Sequence, residues 1–197
     1  MKIFKFGGAS VKDVIGVKNL LKVIQRKADS NTIVIVSAMG KTTNALENIV
    51  STYFSKKNNL DNGISELYDY HKIILENLFP DKHQIFNEIN ILFQRIKFFL
   101  ENNKSPNHSF VYDQVVTYGE IISTTIINSF LVHNNIESVW LDARDCIKTD
   151  SNYRGGNIIW NKTNENIKNN IKINQLNLTQ GFIASDKNNF NVTLGRE

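Results

Sequence analysis

Residues 1–10 read Met-Lys-Ile-Phe-Lys-Phe-Gly-Gly-Ala-Ser, and the rest of the chain is ordered around this stretch. The apolar run 1–4 is expected to be a short buried strand, Gly7-Gly8 a tight turn, and the residues behind it the start of a helix. Lys5 is then held at the strand end. Paired glycines let backbone N–H groups approach an anion with no Cβ in the way. The N-terminus of a following helix adds partial positive charge, and Lys5 adds a full one. Such an arrangement makes a phosphate cradle. Tight strand-to-helix turns also carry Gly-Gly with no ligand, so the hexapeptide 5–10 alone leaves both readings open.

Working outward, residues 11–28 place Val14, Val17, Leu20, Leu21 and Ile24 at helical spacing. The β-branched run 32–36, Thr-Ile-Val-Ile-Val, suits a strand covered on both faces. Ser37-Ala38-Met39-Gly40 turns the chain, and Thr43 opens a helix through about residue 57. Strand, crossover helix and strand of this length predict a parallel pair. Residues 60–104 read as wholly helical. Leu67, His71, Ile74 and Leu78 share one face of a first helix that Pro80 ends, and Ile85, Ile89, Leu92, Ile96 and Phe99 form the stripe of a second. These stripes suit core or helix-pair packing rather than a cofactor box, against the domain or a neighbour. After a polar break at 102–109, residues 112–133 predict one long helix with Val115, Ile122, Ile126 and Phe130 inward. Strands return at 138–141 and near 178–183, with a short helix at 161–172. The turn Asp186-Lys187-Asn188-Asn189 makes 182–194 a hairpin. The expected architecture is a three-layer αβα sandwich with a mainly parallel sheet and a helical subdomain inserted at about 60–104.

A chain of 197 residues, 41% hydrophobic, suits one domain or a large piece of one. Its 21% charged residues and net charge of +4 argue against disorder. The 23 Lys and Arg are scattered among 19 Asp and Glu with no dense basic block, which argues against a nucleic-acid partner. Mild basicity fits anionic small molecules. Cys146 is the only cysteine, excluding an intramolecular disulfide and multi-cysteine zinc sites. His71, His83, His108 and His133 have no ligand spacing and are expected at the surface. With no signal pattern and no apolar run of spanning length, the chain reads as cytoplasmic, with no membrane partner. No Ser-His-Asp set, HExxH pair or GxxxxGK[ST] loop occurs, so a serine hydrolase, a zincin and a Walker-type ATPase are unsupported.

Further positions carry chemistry. Ser37 lies at the carboxyl end of the second strand, where open α/β sheets bind ligands. Thr43 offers a hydroxyl to a carboxylate, or else caps its helix, a role worth ~1 kcal/mol. Glu120, among apolar neighbours in a long helix, either pairs with a positive group or costs stability; a surface helix former is the alternative. Arg196 can hold a carboxylate as a planar fork, or be merely a terminal arginine. Asp142 and Asp145, behind a strand, suit local capping and ion pairing better than a metal, and no metal site is assigned.

These segments resemble aspartokinases, of the amino acid kinase fold (carbamate-kinase-like). Lys5 to Ser10 is similar to their KFGG[TS]S. Val36-Ser37-Ala38-Met39-Gly40 through Thr43-Asn44 is similar to VVSAMxxxTN, and Tyr118-Gly119-Glu120-Ile121-Ile122-Ser123 to [SF]xGExxS. Asp142 to Asp145 resembles their DAR-D strand end, and Gln180-Gly181-Phe182-Ile183 through Thr193-Leu194-Gly195-Arg196 resembles GFIG…TTLGR. The resemblance implies phosphoryl transfer from Mg-ATP to the side-chain carboxylate of L-aspartate, giving 4-phospho-L-aspartate, first step towards lysine, threonine and methionine. It implies ATP phosphate binding by Lys5, Phe6, Gly7, Gly8 and Ser10, with Lys5 catalytic. Ser37 and Thr43 would contact the amino acid, Glu120 its ammonium and Arg196 a carboxylate. A side-chain carboxylate with a pKa of about 3.9 is already ionised and needs no general base; the work is positioning and charge neutralisation. Ala9 departs from the commoner threonine, and Glu197 stands where the family has glycine. Residues 1–197 are therefore expected to be the amino-acid-binding N-terminal portion of a kinase domain, with the C-terminal part of the fold missing, inactive alone and homo-oligomeric in the full-length protein. A glutamate or acetylglutamate kinase and a non-catalytic binding or assembly module are the alternatives.

Overall fold

The computed structural model describes residues 1–55 and 60–195. Strand β1 (Lys2–Phe6) leads into a 3-10 turn at Gly8–Val11 and then α1 (Val14–Lys27). Strand β2 (Thr32–Val36) is followed by five helices, α2 (Thr42–Phe54), α3 (Leu60–Leu78), α4 (Ile85–Asn102), α5 (His108–Val116) and α6 (Tyr118–His133). Then come β3 (Ser138–Leu141), α7 (Ala143–Cys146), α8 (Trp160–Asn170), β4 (Leu176–Gln180), β5 (Ile183–Ser185) and β6 (Asn191–Thr193).

The first four strands form one parallel sheet in the order β1-β2-β4-β3. Its register places Phe4, Val34, Leu178 and Trp140 in one row across the sheet. Val34, Val36 and Leu178 are fully buried there, which is why β2 tolerates so apolar a run. Residues of α1 (Val17, Leu20, Ile24) and of α6 (Ile122, Ile126, Ile127) share one buried core with Val34, Val36 and Leu178 of the sheet. Because every strand runs the same way, Phe6, Val36, Gln180 and Leu141 end at one edge, and the loops behind them meet there. β5 and β6 pair antiparallel as the expected hairpin, with the Asp186 carboxylate accepting from the N–H groups of Asn188 and Phe190.

Helices α3 and α4 join the same buried core as the sheet, so the stripes pack on this chain. Leu67, His71, Ile74 and Leu78 are all buried. On α4 the buried stripe is Ile85, Ile89, Phe93, Ile96 and Leu100, with Leu92 and Phe99 only partly covered.

Several expectations need correction. The helix expected from residue 11 starts at Val14, because the 3-10 turn occupies 8–11 and Asp13 caps α1 by accepting from the Gly16 N–H at 2.8 Å. The single helix expected over 112–133 starts at His108, capped by Asn107, and is interrupted at Thr117. Thr117 Oγ1 donates to the Asp113 carbonyl and accepts from Asn191 Nδ2, both at 2.9 Å, a local bond that competes with the helix ladder. The stretch His108–His133 is long and apolar enough by composition to cross a membrane, yet 72% of its window is buried inside the molecule; it is a core helix. His71, expected at the surface, is completely buried. Helix α2 ends at Phe54; its expected end near residue 57 lies outside the described residues.

Candidate functional site at the carboxyl edge of the sheet

Two loops build the site. In the loop behind β1, the two glycines do different work. A Cβ on Gly8 would lie 2.6 Å from the Ala38 carbonyl oxygen and 3.1 Å from that of Gly40. Gly8 is therefore required where two backbones cross, and the Gly40 N–H donates to the Gly8 carbonyl at 3.0 Å. Gly40 itself sits at φ +55, a left-handed conformation that suits glycine. Around Gly7, by contrast, a Cβ would meet nothing within 4 Å. Packing explains Gly8; it leaves Gly7 open to an incoming group.

Lys5 is exposed at the end of β1, and among the described residues it makes no ion pair. Lys12 and Lys41 flank Gly40 and are likewise exposed. The Ser10 N–H donates to the Gly7 carbonyl at 2.9 Å, so Ser10 can offer a ligand its hydroxyl but not its amide. The positive end of α1 faces the Asp13 carboxylate. The charge expected from a helix N-terminus is thus already compensated, and the lysines supply the field.

The loop behind β2 is buried and cross-braced. The Ser37 N–H donates to the Phe6 carbonyl at 3.0 Å, tying the loops together. Its own carbonyl accepts from Ser123 Oγ of α6 at 2.8 Å. Glu120, 3% exposed, accepts from the Ala38 N–H through Oε1 at 3.4 Å. This approach depends on Gly119, where a Cβ would stand 3.1 Å from the Ala38 Cβ. Glu120 is accordingly a core carboxylate aimed at the loop, and the surface alternative is excluded. Thr43 is half-buried inside the first turn of α2, while Lys41 occupies the N-cap position. The capping role is excluded, and among the described residues its hydroxyl makes no hydrogen bond.

Lys5, Phe6, Gly7, Gly8, Ser10, Ser37, Thr43 and Glu120 thus gather at one edge of the sheet. Arg196 lies outside the described residues; the chain reaches it through Gly195 at φ +88, with the Leu194 N–H held by the Phe182 carbonyl at 2.9 Å.

Supporting residues were missed from the sequence. Asp113, completely buried, accepts from the N–H groups of Arg154 and Thr193 at 2.9 Å and from Thr193 Oγ1 at 2.8 Å. It pins the hairpin strand that leads towards Arg196. Burial pushes its carboxyl up, opposed by those same hydrogen bonds. Gln180 donates to Thr124 Oγ1 and accepts from the Ala143 N–H, both at 2.7 Å. Asp142 caps α7 and pairs with Arg144, the local arrangement that its position suggested. Among the described residues no group of three or more His, Cys, Asp or Glu is placed to hold a metal. The end of β1 and the loop behind it carry the exposed Lys5 and Lys12, and the loop's carboxylate, Asp13, is engaged in capping α1, so it offers a magnesium ion no free carboxylate.

An α/β protein with a parallel sheet thus carries an open glycine, exposed lysines and a buried carboxylate at its carboxyl edge, the edge where open α/β sheets bind ligands. The chain belongs to the amino acid kinase family, whose family model matches residues 1–196. It is 28% identical over 212 residues to a bifunctional aspartokinase/homoserine dehydrogenase of Buchnera aphidicola, covering 100% of this chain and 25% of that protein. It is 25% identical to the lysine-sensitive aspartokinase 3 of Escherichia coli, covering 98% of this chain and 43% of the relative. The solved structure of E. coli aspartokinase III in complex with aspartate and ADP shares the fold, with a TM-score of 0.86 at 24% identity over 100% of this chain and 44% of that one. The chain therefore spans between a quarter and a half of the length of these relatives.

Proposed function

We propose that this chain is the amino-acid-binding N-terminal portion of an aspartate kinase, which transfers the γ-phosphoryl group of Mg-ATP to the side-chain carboxylate of L-aspartate. One observation carries this reading. The open Gly7 and Lys5, which makes no ion pair among the described residues, lie across the Phe6–Ser37 contact from the buried Glu120, so a polyanion and an ammonium-bearing acceptor would meet at one edge.

In this mechanism Lys5 draws charge from the transferring phosphoryl group, and the open backbone at Gly7 receives phosphate oxygens beside Phe6, Gly8 and the Ser10 hydroxyl. Ser37 and the Thr43 hydroxyl orient the amino acid, Glu120 takes its ammonium, and Arg196 a carboxylate. The acceptor carboxylate is ionised at neutral pH, so positioning and charge neutralisation do the work. A magnesium ion bound with the nucleotide would add further charge neutralisation to that of Lys5. The product would be 4-phospho-L-aspartate, in a cytoplasmic route to lysine, threonine and methionine, made by a homo-oligomeric full-length enzyme. The 197 residues alone would be inactive.

Calorimetry on the chain tests this with L-aspartate, L-glutamate and N-acetyl-L-glutamate. Aspartate should bind best, and Glu120→Gln should weaken it by about tenfold or more, the loss of a charged hydrogen bond. N-acetylglutamate, which has no ammonium, should not bind. Preference for glutamate or N-acetylglutamate would replace the acceptor, and indifference to all three would leave a non-catalytic module. Aspartate-dependent ADP formation by this chain alone would refute its inactivity.

A further inference from the structure

We propose that α3 is a brace for both loops of the site, with His71 and Tyr70 as its positioning residues. The inference deepens the aspartate-kinase reading and, for its ligand readout only, rests on it.

His71 Nδ1 lies 2.8 Å from the Leu67 carbonyl oxygen. A carbonyl can only accept, so Nδ1 carries the proton and Nε2 presents its lone pair. Thr42 Oγ1, 3.4 Å away, therefore donates to Nε2. Thr42 is buried and opens α2 directly before Thr43. On its other side its methyl group would stand 3.3 Å from a Cβ on Gly119, the residue next to Glu120. One side chain is thus clamped between α3 and the Glu120-bearing turn of α6.

The preceding residue of α3 reaches the other loop. The Tyr70 hydroxyl donates to the Lys12 carbonyl, just past the 3-10 turn that begins at Gly8. The same oxygen lies 2.8 Å from where a Cβ on Gly40 would be, so it also abuts the left-handed turn between the loops. The two rings pack edge to face at 4.9 Å, and His71 rests on Phe93 of α4 at 5.7 Å. A cavity of about 520 Å³ opens between α2 and α3, lined by Gly40, Thr42, Gly63, Leu67 and Tyr70 among others. Apolar contact joins α2 to α3 below it, where Ile49 lies 3.2 Å from the Cβ position of Gly63; at the loop end of the cavity the polar contacts add a connection of their own. A leucine would fill the volume of His71 without the cost of burying imidazole nitrogens; what it lacks is the acceptor for Thr42.

Hydrogen exchange of the whole chain, followed by mass spectrometry, tests the brace together with aspartate calorimetry. Thr42→Val keeps the shape and removes the donor, Thr42→Ser keeps the donor, and Tyr70→Phe removes the second contact at a half-exposed position where folding is not at risk. Thr42→Val should speed exchange at residues 38–43 by about tenfold, the loss of one hydrogen bond, with β3 and β4 unchanged, and Thr42→Ser should restore it. Tyr70→Phe should speed exchange at 9–13 but not at 176–180. Aspartate affinity should fall with Thr42→Val and recover with Thr42→Ser. Unchanged loop exchange in both Thr42→Val and Tyr70→Phe, or acceleration spread evenly over the sheet, overturns the brace. Local acceleration in a chain that binds no aspartate even as wild type upholds the brace and defeats the functional reading.

Discussion

The two loops at the carboxyl edge differ in exposure and in what holds them. The loop behind β1 is the more exposed one, held by short-range backbone bonds, by the Gly40 N–H and by the Tyr70 hydroxyl. The loop behind β2 is buried and held by Ser123, Glu120 and His71, residues 29 to 86 positions away. A polyanion needs an open approach and mobile cations, whereas a small zwitterion needs a shaped, preorganised recess. The contrast teaches that openness at the first loop and rigidity at the second are parts of one arrangement.

The largest expected effect sharpens that contrast within a single dipeptide. Gly8→Ala drives a Cβ into two carbonyl oxygens, and stability should fall by about 3 kcal/mol or more in chemical denaturation. Gly7→Ala should stay within about 0.5 kcal/mol, while weakening ADP binding. Equal stability losses at both positions would erase the distinction between a packing glycine and an open one.

Next comes acid sensitivity at the buried loop. Burial lowers the His71 pKa from 6.5 to about 4. Between those values the unfolded chain binds the proton that the folded chain refuses, so stability falls as pH drops. The loss should reach about 2 kcal/mol by pH 5, with no contribution above about pH 7. His71→Gln should flatten that part of the pH–stability curve. A wild-type curve with no His71-dependent slope would mean that the imidazole is protonated in place.

Smaller still is the stability effect at the open loop. Lys5→Ala should change stability by less than about 0.5 kcal/mol, yet reduce ADP or pyrophosphate affinity by about tenfold or more. A stability loss without a binding loss would make Lys5 structural and break the comparison. Least affected should be a distant control. Lys97→Met removes the exposed Asp61 partner at 2.7 Å and should cost at most about 0.5 kcal/mol.

Much of this was legible in the residues. The β-branched run of β2 and the strand at 138–141 read correctly, because period and turn chemistry are local properties. The stripe of α3 was visible too, although its own pattern put His71 among leucines and isoleucines while composition suggested the surface; the pattern was the better guide. The shortened start of α1, the break at Thr117 and the role of Asp113 were not legible. Each depends on a side chain meeting a backbone group, and the backbone partners of Asp113, like the Asn191 side chain that meets Thr117, lie far along the chain. Gly8 looked like half of an anion motif, and only its crossing with Ala38 and Gly40 revealed a packing constraint.

From the amino-acid order alone came the parallel α/β plan and the glycine turn with its lysine, since hydrophobic period and residue chemistry act over a few positions; that Glu120 is a core acid came from the fold. Tertiary structure decided which glycine is free, which hydroxyls remain available and that α3 reaches both loops. Those outcomes are set by distances between segments that only the assembled sheet and its helices bring within hydrogen-bond range.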